Sequence, residues 1–235
     1  MERGSSPRMT VLGALRRKPL KCYPEAAKPG LEKTALAKER FMGLLVMILG
    51  LVLFFGVHTL TTQRELRARV IASTGEGGYK IGYALVSAVG LALIVWGFAH
   101  YRATGWIDVW YPPVALKHLT VALMLPAVIL VVASYMRGRI YTTLKHPMLT
   151  GIKLWAAAHL LANGDLGSII LFGSFLGWAV FDRISLKHRT DGGGPPIPVG
   201  GPGNDLIAVA VGVVAYLALA FAFHPVVIGV PVVGV

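Results

Sequence analysis

The chain has 235 residues, of which 55% are hydrophobic and only 14% are charged, and its formal net charge is +12. A soluble domain of this size would carry charges at roughly a quarter of its positions, so the composition excludes an ordinary soluble protein. It predicts an all-α fold, a polytopic integral membrane bundle. Nucleic-acid binding is not indicated, because the basic residues cluster before Met42 and beside apolar segments, where they meet lipid headgroups.

The first 41 residues carry ten of the 23 lysines and arginines. They lack an apolar core of the length that a signal peptide needs, and Pro19, Pro24 and Pro29 interrupt any long helix. We expect a largely disordered extension over residues 1–41, and either this arm orients the chain weakly or the true start lies near Met42. One membrane domain is predicted over residues 42–235.

Six apolar segments follow, and each is predicted to be a membrane-spanning helix: Met42–Leu60, Ile81–Ala99, Leu119–Met136, Met148–Ala162, Leu166–Phe181 and Leu206–Phe223. A crossing helix needs about 20 apolar residues, and the fourth and fifth segments are shorter than this. They are joined by Asn163-Gly164-Asp165. Asn and Gly favour a left-handed helix end, and Asp is a strong N-cap, so we expect a tight helical hairpin of two separate spans.

A glycine- and proline-rich loop over residues 190–204 separates the fifth and sixth segments and reads as a spacer. Six spans place both termini on one side of the membrane. Eleven basic residues fall in or beside the loops after the first, third and fifth spans, against two in the opposite loops. The positive-inside rule therefore places those three loops in the cytoplasm, although the basic extension opposes this orientation.

Two histidines lie inside apolar segments, where ionisable side chains are costly and are usually functional or internally paired. His159 has Trp155 four residues before it and Asn163 four residues after it, so the three share one helix face. His58 follows Gly56, which lets a helix or a planar ligand approach closely. Two imidazoles on different helices make a porphyrin iron the most specific ligand hypothesis. The simpler interpretation is polar packing between helices.

His146 precedes Pro147, which suits the first turn of a helix, so we expect His146 to cap the fourth helix at the interface. It lies 13 positions before His159 and about 140° around the helix, so one metal ion is not expected to bind both. With Lys153, His146 could meet a lipid headgroup or the anionic edge of a cofactor. The common nucleotide, zinc-protease and serine-hydrolase motifs are missing from the sequence.

The stretch KHPMLTGIKLWAAAHLLANGD, from Lys145 to Asp165, resembles the signature of the NnrU family. The resemblance covers about Met42 to the C-terminus and includes further short motifs: Gly56-Val57-His58, Gly75–Tyr79, Leu171–Phe175, Asp182–Ser185 and His224-Pro225. It implies a bacterial inner-membrane protein linked to nitrite and nitric oxide reduction. Its expected partners are membrane lipids and a respiratory or denitrification membrane complex.

The NnrU family is similar to plant 15-cis-zeta-carotene isomerase, a haem b enzyme. Its haem ligands match His58 and His159, so the resemblance implies haem b with these two axial ligands, and either a redox role or isomerisation of a polyene. The isomerase has a cysteine three residues before the second histidine, and this chain has Ala156 there.

Two other functions fit the sequence. The chain could be a non-enzymatic accessory or assembly subunit of a respiratory complex, with histidines that only pack. Alternatively, Lys145-His146-Pro147-Met148 faintly resembles the motif of isoprenylcysteine methyltransferases, but Asp182-Arg183 stands where those enzymes have paired acidic residues.

Overall fold

The computed structural model describes residues 29–188 and 199–232. In these ranges 85% of the residues are helical and strands are absent, which confirms the all-α fold. The helices are α1 (Pro29–Leu60), α2 (Arg64–Ala103), α3 (Val114–Met136), α4 (Arg139–Leu144), α5 (Pro147–Ala162), α6 (Leu166–Lys187) and α7 (Gly203–Ala218). A π-helical segment, Leu219–Ile228, continues α7 and is called the π segment below.

Five helices of the described chain are long and apolar enough to cross a membrane, namely α1, α2, α3, α6 and α7 with its π segment. The fourth predicted segment is the exception, because α5 has only 16 residues. At 1.5 Å per residue it is about 24 Å long, against a hydrocarbon thickness of about 30 Å. The short helix α4, which the sequence did not predict, precedes it.

The predicted disordered extension is wrong for residues 29–41, which form the beginning of α1. Proline is well tolerated in the first turn of a helix, and Pro29 is the first residue of α1. Further along this helix, the Glu39 carboxylate lies 3.2 Å from Nε2 of His100. Residues 1–28 and 189–198, which include most of the predicted spacer loop, lie outside the described residues.

Helix α2 has 40 residues, twice the number of about 20 that a crossing helix needs. Its backbone breaks at Gly75, where φ is 74° and ψ is 164°. This left-handed conformation suits glycine, because glycine has no Cβ. The break separates an arginine-rich first part, residues 64–74, from the apolar part that includes the predicted span.

Glycines let α1 and α2 pack with their backbones almost in contact. A Cβ at Gly50 would lie 2.7 Å from the Gly90 carbonyl oxygen and 2.7 Å from the Ile94 nitrogen. A Cβ at Gly43 would lie 2.6 Å from the Tyr101 nitrogen. Small residues at helix contacts are typical of membrane bundles, where close van der Waals packing replaces the hydrophobic effect.

The other helices form a second group, in which α3 lies between α5 and α7, and α6 packs against α5. The Thr120 hydroxyl of α3 donates to the Ala158 carbonyl oxygen of α5 at 2.7 Å, and Gly151 allows α5 to approach Ala127. Among the helices, α6 makes most of the contacts that join this group to the α1–α2 pair.

One end of the bundle is built around Asp165 and is called the Asp165 end. The Asp165 carboxylate accepts hydrogen bonds from the Ser168 amide at 3.0 Å and the Ser168 hydroxyl at 2.6 Å, which confirms it as the N-cap of α6. Arg102 donates to the same carboxylate at 3.1 Å. Asn163 is extended (φ −123°, ψ 125°), so the predicted left-handed helix end is wrong.

The reason for the extended turn is that the loop between α2 and α3 hydrogen-bonds to it. The Gly164 carbonyl oxygen accepts from the amides of Val109 and Trp110, and the Leu166 amide donates to the Ile107 carbonyl oxygen at 2.9 Å. An extended backbone turns the Gly164 carbonyl and the Leu166 amide towards the loop. A left-handed residue at the helix end would instead direct backbone hydrogen bonds back to the helix itself.

The opposite end is built around Asp205 and is called the Asp205 end. The Asp205 carboxylate accepts from the amides of Arg139 at 2.9 Å and Ile140 at 3.0 Å, so it caps α4 from a distant part of the chain. The Asn204 amide donates to the Met136 carbonyl oxygen at 2.6 Å. These bonds fix the start of α7 against the end of α3.

Candidate functional site

The local structure of α5 fixes the orientation of the His159 ring. Nδ1 of His159 lies 2.9 Å from the Trp155 carbonyl oxygen, one helical turn earlier. A carbonyl only accepts hydrogen bonds, so Nδ1 carries the proton and Nε2 keeps its lone pair. The Asn163 amide donates to the His159 carbonyl oxygen at 2.8 Å. The predicted alignment of Trp155, His159 and Asn163 along α5 is therefore observed.

His58 is held in the same way near the end of α1. Its Nδ1 lies 2.6 Å from the Phe54 carbonyl oxygen, and its ring stacks on Phe54 with centroids 4.1 Å apart. Tyr83 of α2 and Trp178 of α6 lie beside it at 5.2 and 5.6 Å. Both predicted histidines thus keep the Nε2 atom for a further partner.

Aromatic rings connect the two histidines through the middle of the bundle. The Phe175 ring of α6 lies 5.8 Å from Phe54 and 5.3 Å from Trp155, and Trp155 lies 5.3 Å from His159. Together with His58, these side chains form what we call the histidine–aromatic seam: His58, Phe54, Phe175, Trp155 and His159. Phe172 covers the far end, where it stacks on His159 at 4.5 Å.

The contacts along α6 show that the two histidines lie at different depths. His159 stacks on Phe172, whereas His58 contacts Trp178, six positions further along α6. Six residues of helix correspond to about 9 Å. The ligating nitrogens of two axial histidines on one iron lie only about 4 Å apart, which is twice a metal–nitrogen bond of about 2 Å. The donor chemistry of each histidine fits a haem iron, but their positions disfavour a shared one.

His146 and Lys153 lie on α5 but apart from the seam. His146 is the N-cap of α5 and Pro147 its first residue, as predicted. Thirteen residues separate His146 from His159, about 20 Å along the axis, which places it towards the Asp205 end. Lys153 is half-buried, and six residues place it about 120° around the helix from His159. Neither is part of the arrangement around the His159 ring.

Two buried hydrogen-bond donors lie near the His58 end of the seam. The indole nitrogen of Trp178 and the hydroxyl of Tyr79 are buried without a hydrogen-bond partner in the described residues. Tyr79 packs on Tyr83 with centroids 6.1 Å apart, and the Arg67 guanidinium lies 5.3 Å from the Tyr79 ring centre. Unpaired donors of this kind are uncommon in proteins and mark a place where a polar group can bind.

The sequence did not predict the partners of His159 on other helices. Phe172 and Phe175 lie within the fifth predicted span, and His224 directly follows the sixth. His224 lies with its ring centre 6.4 Å from that of His159. The spacing of Phe172 and Phe175, three residues apart on one helix face, was the available signal. The approach of His224 depends on long-range packing that has no local sequence pattern.

Comparison with known proteins gives one match. A family model described as "NnrU protein" matches residues 46–232. No curated protein matches the chain, and no solved structure does either. The matched range extends from α1 to the end of the described chain and includes every residue of the histidine–aromatic seam.

Proposed function

The chain belongs to the NnrU family, and from this premise we propose that it is an integral membrane haem b protein in which His159 binds the iron. The observation that carries the proposal is the His159 ring itself. Its Nδ1 is anchored to the helix backbone, its Nε2 is the unprotonated nitrogen, and it is surrounded by apolar and aromatic side chains. A neutral imidazole anchored in this way is the usual histidine ligand of a metal.

The residues around His159 have separate roles in this proposal. The Trp155 carbonyl oxygen holds the ring in one orientation and one tautomer, and Phe172 restricts its rotation from the other side. The apolar surroundings exclude water. Bound haem b would supply one-electron transfer, with a potential set by its axial ligands and its burial. The attachment is non-covalent, because the sequence has one cysteine, Cys22, and no haem-attachment motif.

We propose a redox role in nitrite or nitric oxide metabolism rather than isomerisation of a polyene. The resemblance to the isomerase fails at Ala156, which is fully buried against the core and offers no sulfur three residues before His159. Iron chemistry is favoured over protein acid–base chemistry, because Asp165, the buried acidic residue of the described chain, is paired with Arg102 and Ser168. The proposed location is the bacterial inner membrane, with the Asp205 end in the cytoplasm.

The test is the visible spectrum of the full chain, purified in detergent from cells supplied with haem. We expect a Soret band in the wild type and its loss in His159→Ala. His118→Ala is the matched control, since His118 is an exposed histidine near the Asp165 end of α3. A colourless but stable wild type, or a His159→Ala variant with full haem content, would overturn the proposal. A colourless, stable wild type would favour the alternative that the protein is an accessory subunit.

A further inference from the structure

The π segment places the His224 side chain beside His159. From Leu219 onwards the helix widens, and Nδ1 of His224 lies 2.8 Å from the carbonyl oxygen of Leu219, five residues earlier. Pro225 follows and has no amide hydrogen to donate, which favours a departure from α-helical pairing here. Short π-helical stretches occur frequently at functional sites. As in His159, the bond to a carbonyl places the proton on Nδ1 and leaves Nε2 unprotonated.

The imidazole rings of His159 and His224 lie close to each other, although they belong to different helices. Their ring centres are 6.4 Å apart and their planes are inclined by 24°. The π segment and α5 are not among the element pairs that pack closely in the described chain, so the two helices meet here through these side chains. In both rings the described hydrogen bond is made by Nδ1, so Nε2 is the nitrogen that can bind a metal.

This separation is the one expected for two axial ligands of one metal. With metal–nitrogen bonds of about 2 Å on each side, the centres of two imidazole rings lie about 6 Å apart. His58 does not meet this condition relative to His159, because aromatic rings of the seam lie between them. His58 is instead enclosed by Phe54, Tyr83 and Trp178.

We propose that His224, and not His58, is the second axial ligand of the haem iron held by His159. This inference rests on the proposed function and specifies its coordination. Two neutral imidazoles, one from α5 and one from the π segment, would then hold the haem. His58 is a packing residue of the α1–α2–α6 contact.

The experiment compares four variants of the full-length protein: His224→Gly, His224→Gln, His58→Ala and the control His118→Ala. Ferric samples are examined by absorption and by low-temperature electron paramagnetic resonance. The wild type, His58→Ala and His118→Ala should show the low-spin signals of bis-imidazole iron. Both His224 variants should lose these signals while they keep haem bound through His159. Added imidazole should restore the low-spin signals in His224→Gly, which a purely structural role of His224 would not permit.

Bis-imidazole signals that persist in both His224 variants would overturn this inference, as would their selective loss in His58→Ala. The proposed haem binding would remain valid in either case. A wild type that takes up no haem from cells or from added hemin would overturn both. Size-exclusion profiles of the variants, compared with the wild type, show whether each one is folded.

Discussion

Asp165 is the buried charged residue on which one end of the bundle depends. Its side chain is 4% exposed, and it receives hydrogen bonds from Ser168 and from Arg102. The Arg102 guanidinium also lies 4.5 Å from the ring centre of Trp106. A carboxylate buried to this extent is tolerated because its partners replace the lost water. The cap, the ion pair and the loop between α2 and α3 therefore form one unit.

Removal of the Asp165 carboxylate should destabilise the protein. Asp165→Ala removes an N-cap, which costs about 1 kcal/mol, and leaves Arg102 without its partner. Breaking a buried ion pair costs about 3–5 kcal/mol. Because Arg102 is about one-third exposed, we expect the total loss in the free energy of unfolding to lie near the lower value, about 3 kcal/mol. Unfolding by SDS titration in mixed micelles measures this free energy. Asp108→Ala, an exposed aspartate of the same end, should change it little.

Residue-level predictions from the sequence succeeded where the rule is local. Asp165 was identified as an N-cap, and Pro147 as the first residue of α5, because capping depends on a few neighbouring positions. The same reasoning failed for Asn163, whose backbone is extended because a distant loop hydrogen-bonds to the turn. The local sequence around Asn163 carries no information about a hydrogen bond with a distant loop.

At the scale of the element, α2 shows how one residue divides a long helix. The positive φ of Gly75 costs a residue with a Cβ about 1–2 kcal/mol. We expect Gly75→Ala to destabilise the protein by about this amount. Gly77→Ala is the matched control, because Gly77 is helical and has open space around it. It should be neutral or stabilising by up to about 1 kcal/mol. Equal effects of the two substitutions, measured by SDS unfolding, would contradict a strained break at Gly75.

The α1–α2 contact gives a second prediction at this scale. Gly50→Leu would insert a side chain where a Cβ alone comes within 2.7 Å of two backbone atoms. Overpacking of this kind costs about 1–3 kcal/mol or more, so the variant should unfold at lower SDS. Gly82→Leu adds the same side chain to an exposed position of α2 with nothing within 4 Å. A loss of stability as large in Gly82→Leu would show that bulk, and not the helix contact, is responsible.

For the whole molecule, the distribution of basic residues predicts its orientation. The Asp205 end carries most of the arginines and lysines of the described chain, so it should face the cytoplasm. Single cysteines in a Cys22→Ser background test this. A membrane-impermeant maleimide should label Tyr111→Cys in intact cells, since Tyr111 is 80% exposed at the Asp165 end. Thr143→Cys in α4 should be labelled only after lysis, and the reverse pattern would contradict the orientation.

Hydropathy predicted the positions and order of the six apolar helices, five of which are long enough to span a membrane, because each helix must satisfy its own backbone in lipid. It could not predict how they associate, since lipid-facing and protein-facing residues are equally apolar. Val52 and Leu85, for example, are 64% and 62% exposed, whereas Met47 is fully buried. The approach of His224 to His159 is a consequence of that association, and so only the structure reveals it.

The limited length of α5 has one further consequence. A helix about 6 Å shorter than the hydrocarbon layer cannot place both of its polar ends at the headgroups, and His159 lies only about 6 Å along the axis from the polar turn Asn163–Asp165. The lipid leaflet must thin or admit solvent there to meet these groups. For the haem that we propose at His159, an electron donor or a diatomic gas on that side of the membrane would have a shorter path to the iron than one from the other compartment.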